Sequence, residues 1–172
     1  MTLAQARAAI DQIDRELAEL MCRRMELTDE VAQQKRQQGL PVFQASRERQ
    51  VLDGVRQQVP PARRDAAAIQ FACLMDLSRA QQHRQLAPPG PPLPEGEAVC
   101  RLTLPEDPDA LRRLATFLSW AGVCPAAVQT VRQDGALPVT LRVAQQPQRE
   151  EWIRILSAEW PEAEIQIKEN VK

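Results

Sequence analysis

The sequence predicts an α+β protein of two domains, with helices alone in residues 1–85 and a mixture of strands and helices in residues 98–172. The prediction rests on a change of hydrophobic period, from the 3.6 residues of a helix to the 2 residues of a strand. It also rests on residues 86–97, which contain five of the 14 prolines. Because proline lacks a backbone donor and fixes φ, this segment is expected to be an extended linker.

The first predicted helix covers about residues 2–38 and ends at Gly39 and Pro41. At about 1.5 Å per residue it is about 55 Å long, which exceeds the diameter of a small domain. A chain of 172 residues has too little other mass to cover its apolar side, so we expect a second copy to pack against it in antiparallel orientation. The apolar stripe of this helix, with spacings of three, four and seven, consists of Leu3, Ile10, Ile13, Leu17, Leu20, Leu27 and Val31.

Two shorter helices and a mixed segment complete the prediction. A second helix begins near Ser46 and a third covers about residues 63–84. The segment after the linker is predicted to contain a strand at 99–104, a helix from Asp107, strands at 126–132 and 139–143 around the turn Asp134-Gly135, a helix through 152–156 and a strand at 163–168. This βαββαβ order is the ferredoxin-like plan.

The composition argues against nucleic-acid and membrane partners. The net charge is -1, aromatic residues make up 3% of the chain and tyrosine is absent, so neither a strong field nor a stacking platform is predicted. The first residues break at once into charges, which is not typical of an export signal. No run approaches the roughly 20 apolar residues that span a bilayer. We therefore expect a soluble, cytoplasmic protein.

The cysteines do not form a metal-binding pattern. Cys22, Cys73, Cys100 and Cys124 are scattered without a CxxC pair, and His83 is the single histidine. A zinc site would have to gather them from distant segments. We prefer the interpretation that they are small, buried, reduced residues, and we expect neither a metal nor a cofactor.

Two cations of the first helix point to an anion site. Arg24 occupies a position of the apolar stripe where leucine would continue the series, and Lys35 returns to within about 20° of that face. An unpaired charge between packed helices would be costly, so these side chains either extend to the surface or bind an anion. Arg7 lies about 25 Å from Arg24 along the axis, so it can serve the same site only from a second, antiparallel chain.

Polar residues of the other helices complete the candidate pocket. Ser78 and Gln82, four residues apart, point the same way, and Gln44, Arg47 and Glu48 stand at the start of the second helix. Each alone is an ordinary solvated residue, but with the cations they form a positively charged pocket. No Ser–His or Cys–His pairing is indicated, so the predicted chemistry is electrostatic rather than covalent.

The order and spacing of these residues resemble the all-helical (type II) chorismate mutases over about residues 3–85. The resemblance implies an intertwined homodimer of long antiparallel helices that converts chorismate to prephenate in aromatic amino acid biosynthesis. The segments that carry it are Arg7-Ala-Ala-Ile-Asp-Gln-Ile-Asp-Arg-Glu-Leu, Arg23-Arg24-Met-Glu-Leu, Val31, Lys35, Pro41-Val42, Arg47-Glu48-Arg49 and Ser78-Arg-Ala-Gln-Gln82.

The resemblance also implies a role for each residue. Arg24, Arg47 and the partner chain's Arg7 would hold the two substrate carboxylates. Ser78 would contact a carboxylate and Glu48 the ring hydroxyl. Lys35 and Gln82 would donate to the ether oxygen, so the implied catalytic residues are Lys35, Gln82 and Arg24. Gln44 stands where many members have Asp or Asn and is kept as a substrate contact.

Residues 98–170 resemble an ACT domain through their strand order and through Asp107-Pro108-Asp109-Ala110-Leu111, although Asp109 replaces the usual glycine. The resemblance implies a regulatory domain that binds an aromatic amino acid. A structural or dimerising domain without a ligand is the alternative. Two alternatives to the mutase are also open, namely an isochorismate–pyruvate lyase on the same scaffold and a non-catalytic helical dimer that binds a metabolite.

Overall fold

The computed structural model describes residues 1–87, 93–144 and 148–168. The order of elements predicted from the sequence is confirmed, with ends that differ by a few residues. The elements are α1 (Leu3–Gln38), α2 (Ala45–Gln58), a 3-10 turn (Pro61–Arg63), α3 (Arg64–Leu86), β1 (Glu97–Pro105), α4 (Pro108–Trp120), β2 (Ala127–Thr130), β3 (Ala136–Val143), α5 (Arg149–Glu159) and β4 (Glu164–Lys168).

Helix α1 lies in the first of two compact units, Met1–Pro41. It begins with a capping box, in which Thr2 accepts from the Gln5 N–H and the Gln5 side chain accepts from the Thr2 N–H at 2.8 Å. It ends at Gly39, whose φ of 64° is the left-handed conformation that glycine adopts without strain. The seven residues of the apolar stripe are 45–68% exposed. The helix therefore presents the predicted stripe to solvent.

The second unit, Val42–Lys172, contains the other helices and the sheet. The four strands lie in the order β2-β3-β1-β4, and every neighbouring pair is antiparallel. Side chains that alternate along β1 and β3, such as Leu104 and Leu141, pack with α4 and α5 in one core. Asp134 and Gly135 both have positive φ, as a two-residue hairpin loop requires, so β3 begins at Ala136, three residues earlier than predicted.

The boundary between the two compact units lies after Pro41 and not at the predicted linker, residues 86–97. Helix α3 packs against α2, α4 and α5, and its Ala80 belongs to the same core cluster as the sheet. A proline-rich composition predicts where the chain is extended and does not predict which elements pack together. The division into modules 1–85, 86–97 and 98–172 stays a prediction. Residues 88–92 of the predicted linker lie outside the described residues.

The end of the predicted linker is bound by the first turn of α5. The buried guanidinium of Arg149 donates to the carbonyl oxygens of Gly96 at 2.7 Å, of Leu93 at 3.3 Å and of Pro94. The neighbouring Glu150 carboxylate accepts from the Leu93 N–H at 3.1 Å. These bonds satisfy backbone groups of the residues that precede β1.

The prediction of four buried cysteines was wrong for two of them. Cys100 is buried, and burial raises the pKa of its thiol to about 11. Cys73 is half-buried, but Cys22 and Cys124 are exposed. The presence of a cysteine does not by itself predict burial, because exposure depends on which face of a helix or loop the residue occupies.

We expect Leu141→Ala to lower the free energy of unfolding by about 2–5 kcal/mol, because it opens a cavity in a fully buried part of the sheet. Urea denaturation followed by circular dichroism measures this change. The matched control is Leu111→Ala on α4, where the leucine is 47% exposed. An equal loss in both variants would contradict the assignment of Leu141 to the core.

Candidate functional site

Helix α1 carries two of the predicted cations on one partly covered face. Arg24 and Lys35 are half-buried, and Thr28 and Ala32 between them are buried. Burial lowers the pKa of Arg24 because desolvation disfavours its charged form. The Thr28 hydroxyl donates to the Arg24 carbonyl at 3.1 Å, within the helix. Arg7, near the other end of α1, is exposed.

The start of α2 presents three of the predicted residues. Gln44 is the half-buried residue that precedes the helix, and its side chain makes no capping bond. Arg47 is exposed and donates to Gln50 Oε1 at 2.7 Å. Glu48 is half-buried in the first turn, where the helix dipole stabilises a carboxylate.

Ser78 and Gln82 are buried on one face of α3, as their spacing predicts. The Ser78 hydroxyl donates to the Leu74 carbonyl at 2.8 Å, and Gln82 Nε2 donates to the Ser78 carbonyl at 3.2 Å. The second bond uses one of the two hydrogens of the amide. Gln82 Oε1 is buried and accepts no hydrogen bond from any residue in the described ranges. A buried amide oxygen of this kind costs about 1–3 kcal/mol until a donor reaches it.

A buried arginine that the sequence analysis missed lies one residue beyond Ser78. Arg79 is 3% exposed, and its guanidinium binds three carboxylates. Nε donates to Glu159 Oε1 at 3.0 Å, Nη1 donates to Glu48 and Nη2 donates to Asp76. One cation on α3 therefore binds carboxylates of α2, α3 and α5.

Further charges surround this arginine. Glu159 also accepts from Arg113 Nη2 at 2.5 Å, and its Oε2 lies 2.9 Å from His83 Nε2. Arg112 of α4 donates to Asp76. We refer to these side chains together as the ionic cluster: Glu48, Asp76, Arg79, His83, Arg112, Arg113 and Glu159.

An aromatic ring closes one side of the ionic cluster. The guanidinium carbons of Arg79 and Arg113 lie 5.5 and 5.1 Å from the centroid of the Phe43 ring. A cavity of about 10 Å³ lies against the cluster. It has room for about one water molecule, so it is too small for an organic substrate. The centre of the ionic cluster is therefore packed, whereas the side chains of Glu48, Arg112 and Arg113 at its edge are 19–24% exposed.

The pKa values in the cluster follow from its pairing. Burial acts to raise the pKa of Glu159, but the bond to His83 and the charges of Arg79 and Arg113 outweigh it and lower that pKa to about 2. For Arg79, burial is opposed by Glu159, Glu48 and Asp76, and its pKa is raised. Asp76 differs, because its burial outweighs the nearby arginines and raises its pKa.

The structure brings together only part of the predicted pocket within each unit. Arg24 and Lys35 share a face of α1, and Ser78 and Gln82 share a face of α3. Asp76, Arg79 and His83 recur at helical spacing in the sequence, and this was the available signal for the cluster. Glu159, the partner of Arg79 and His83, lies 80 and 76 positions away from them, and nothing in its own segment marks it.

Neither a metal-binding group nor a membrane-spanning helix is found among the described residues. Among residues 1–87, 93–144 and 148–168, no group of three or more His, Cys, Asp or Glu side chains is arranged to hold a metal ion. Within the same part of the chain, no helix has the length and apolar character that crossing a membrane requires.

Glu159 should make stability depend on pH in the acid range. Its folded pKa of about 2 lies below the ordinary value of 4.5, so its contribution is complete above about pH 5 and is lost as pH falls toward 2. The shift corresponds to about 3 kcal/mol. We expect Glu159→Gln to flatten the dependence of unfolding free energy on pH by about that amount, as measured by urea denaturation from pH 6 to pH 2.

The control for this measurement is Glu151→Gln, which removes another carboxylate of α5, one that pairs with Arg84 instead of Arg79. If the two variants change the slope equally, the role given to Glu159 is wrong.

Comparison with known proteins identifies the helical part of the chain. Residues 6–83 match the family model described as chorismate mutase type II. No match to the chain is found among curated proteins or among solved structures. The matched range includes all eight predicted site residues, from Arg7 to Gln82. Residues 6–83 of the chain are therefore similar to the chorismate mutase type II family.

Proposed function

We propose that this protein converts chorismate to prephenate in a pocket formed by its helical domain. The observation that carries the proposal is the family match over residues 6–83, which contains the whole predicted set of site residues. In this rearrangement one ether C–O bond breaks while one C–C bond forms within the same molecule. No proton, electron or group is exchanged with the protein. The protein therefore has to bind, fold and electrostatically stabilise the substrate.

The carboxylates of the substrate are bound by arginines. Arg24 and Arg47, with Arg7 of the second copy, form the set that meets the two negative charges. A guanidinium fork can give two parallel hydrogen bonds to one carboxylate, which fixes its orientation as well as its position. The half-buried position of Arg24 on α1 is compatible with this role. Ser78 adds a contact to a carboxylate.

The breaking bond is stabilised by Lys35 and Gln82. Negative charge builds on the ether oxygen as the C–O bond lengthens, and fixed donors aimed at that oxygen lower the barrier. Gln82 is an amide and donates without being protonated, so the rate does not require acidic pH. The bond from Gln82 to the Ser78 carbonyl supports the role, because it holds the amide in one orientation.

Glu48 and Gln44 serve the ring hydroxyl of the substrate. A carboxylate has about four lone-pair sites, so Glu48 can accept from Arg79 and from the substrate hydroxyl together. Gln44 is neutral and longer than the Asp or Asn that is common there. Its half-buried place before α2 is compatible with a contact to the same hydroxyl.

The pocket is shared between two copies of the chain. The apolar stripe of α1 is solvent-exposed along its length, and an antiparallel copy of the same helix is the occupant that would cover it. In such a pair, Arg7 of one chain approaches Arg24 of the other, although the two lie about 25 Å apart within one helix. The intertwined homodimer thus supplies the third arginine.

The C-terminal segment forms a ferredoxin-like, ACT-like domain. The strand order β2-β3-β1-β4 with helices between β1 and β2 and between β3 and β4 supports this part of the proposal. Binding of an aromatic amino acid there, a place in phenylalanine and tyrosine biosynthesis, and the cytoplasmic location stay predictions from the sequence. At the position where the ACT resemblance expects glycine, Asp109 pairs with Arg112 at 3.2 Å.

We expect Lys35→Ala to lower kcat for chorismate by about 10²–10³-fold, the loss typical of removing one donor to a developing oxyanion. The measurement is loss of chorismate and formation of prephenate by the purified full chain. Arg36→Ala removes the neighbouring exposed cation and is the control, with activity near that of the unchanged chain. Equal activity of the two variants would contradict the assignment.

Mixing two inactive variants tests the shared pocket. Arg7→Ala and Lys35→Ala are denatured together and refolded. In a mixed dimer, one pocket combines the intact Lys35 of one chain with the intact Arg7 of the other. Random pairing then restores about one quarter of the original activity, because half of the dimers have one complete pocket of two. Activity that stays at the mean of the two variants would show that each pocket is complete within one chain.

A further inference from the structure

The ionic cluster connects a residue of the proposed pocket to the C-terminal helix. Glu48 on α2 accepts from Arg79, and Arg79 in turn donates to Glu159 near the end of α5. All three residues belong to the unit Val42–Lys172. The side chain of Glu48 is 24% exposed, whereas those of Arg79 and Glu159 are 3% and 8% exposed. The chain of contacts therefore runs from a half-buried carboxylate into packed interior.

The orientation of Arg79 is set by its two most buried partners. Nε donates to Glu159 at 3.0 Å, and Nη2 donates to Asp76, whose side chain is 5% exposed. A guanidinium is planar, with its donors in a rigid fork. Two donors held by carboxylates on different helices fix the plane, and Nη1 is then directed at Glu48.

Glu159 is itself held from two sides. Arg113 of α4 donates to its Oε1 at 2.5 Å, and His83 of α3 lies 2.9 Å from its Oε2. Together with the bond from Arg79, these contacts leave the carboxylate little freedom to rotate. Its lowered pKa is consistent with a carboxylate that stays charged at neutral pH and so keeps its hold on Arg79.

We infer that Glu159 is a positioning residue for Glu48, acting through Arg79, so that the C-terminal segment supports the wall of the proposed pocket. This inference rests on the proposed function, in which Glu48 accepts from the substrate hydroxyl. Without Glu159, a buried cation loses one of three carboxylates, and Arg79 is expected to turn or to admit water. Glu48 then loses its fixed direction although it remains in the chain.

A purely stabilising role would give a different pattern of activity. A residue that only stabilises the fold lowers the amount of folded protein, and the folded fraction keeps its kinetic constants. A positioning residue changes kcat/KM of the folded protein, and its effect disappears once Glu48 is gone. A double-mutant cycle between positions 48 and 159 separates the two.

The experiment uses the full chain and four proteins: the unchanged chain, Glu48→Gln, Glu159→Gln and the double variant. Circular dichroism first sets a temperature at which all four are folded, and kcat/KM for chorismate is measured there. We expect Glu159→Gln alone to lower kcat/KM about 10-fold, and to add less than about 2-fold in the Glu48→Gln background. Glu159→Asp, which keeps the charge, should recover part of the loss.

The matched control is Glu151→Gln, since Glu151 is also a carboxylate of α5 that binds an arginine of α3, namely Arg84 at 2.5 Å. Glu151→Gln should change kcat/KM little, and its fold-change should be the same in the unchanged chain and in the Glu48→Gln background. If Glu159→Gln does not fold, the cycle is run with Glu159→Asp under the same criterion.

The inference is wrong if the fold-losses of Glu48→Gln and Glu159→Gln multiply in the double variant. It is also wrong if folded Glu159→Gln has an unchanged kcat/KM. Both outcomes leave the proposed function standing. An unchanged chain that does not convert chorismate overturns the proposed function, and the positioning role falls with it.

Discussion

The packing of the second unit depends on one buried cation. Arg79 has almost no contact with solvent, and an uncompensated charge there would cost several kcal/mol. Carboxylates of α2, α3 and α5 offset that cost. Because hydrogen bonds to a planar guanidinium are directional, three helices have to approach it at defined angles. The charge thus constrains helix geometry more than apolar contact alone would.

Helix α3 can accept this crowding because its buried apolar residues, apart from Met75, are small. Ala68, Ala72 and Ala80 are buried along it, and short side chains allow neighbouring helices to approach closely. The large apolar residues are concentrated elsewhere, in the core formed by the sheet with α4 and α5. The unit therefore combines an apolar core under the sheet with a charged interior around α3.

Much of the fold could be predicted from local pattern, and much of the site could not. Helical and strand periods predicted the α-helices and strands in order, and Asp134-Gly135 predicted the hairpin, because these signals lie within a few residues of one another. The ionic cluster joins Glu48, Arg79 and Glu159, which are 31 and 80 positions apart. No local pattern contains such a pairing, so sequence reasoning could propose Glu48 as a substrate contact but could not predict its bond to Arg79.

The contacts of Arg149 have a consequence for how the chain responds to proteases. A protease must draw several residues of substrate into its active site in an extended form. The composition of residues 93–96 is typical of a linker. However, the Arg149 guanidinium donates to three of their carbonyl oxygens, and the Glu150 carboxylate accepts from the Leu93 N–H. Cleavage at these residues therefore requires the side chains of Arg149 and Glu150 to release them, so limited digestion here reports the loss of these bonds.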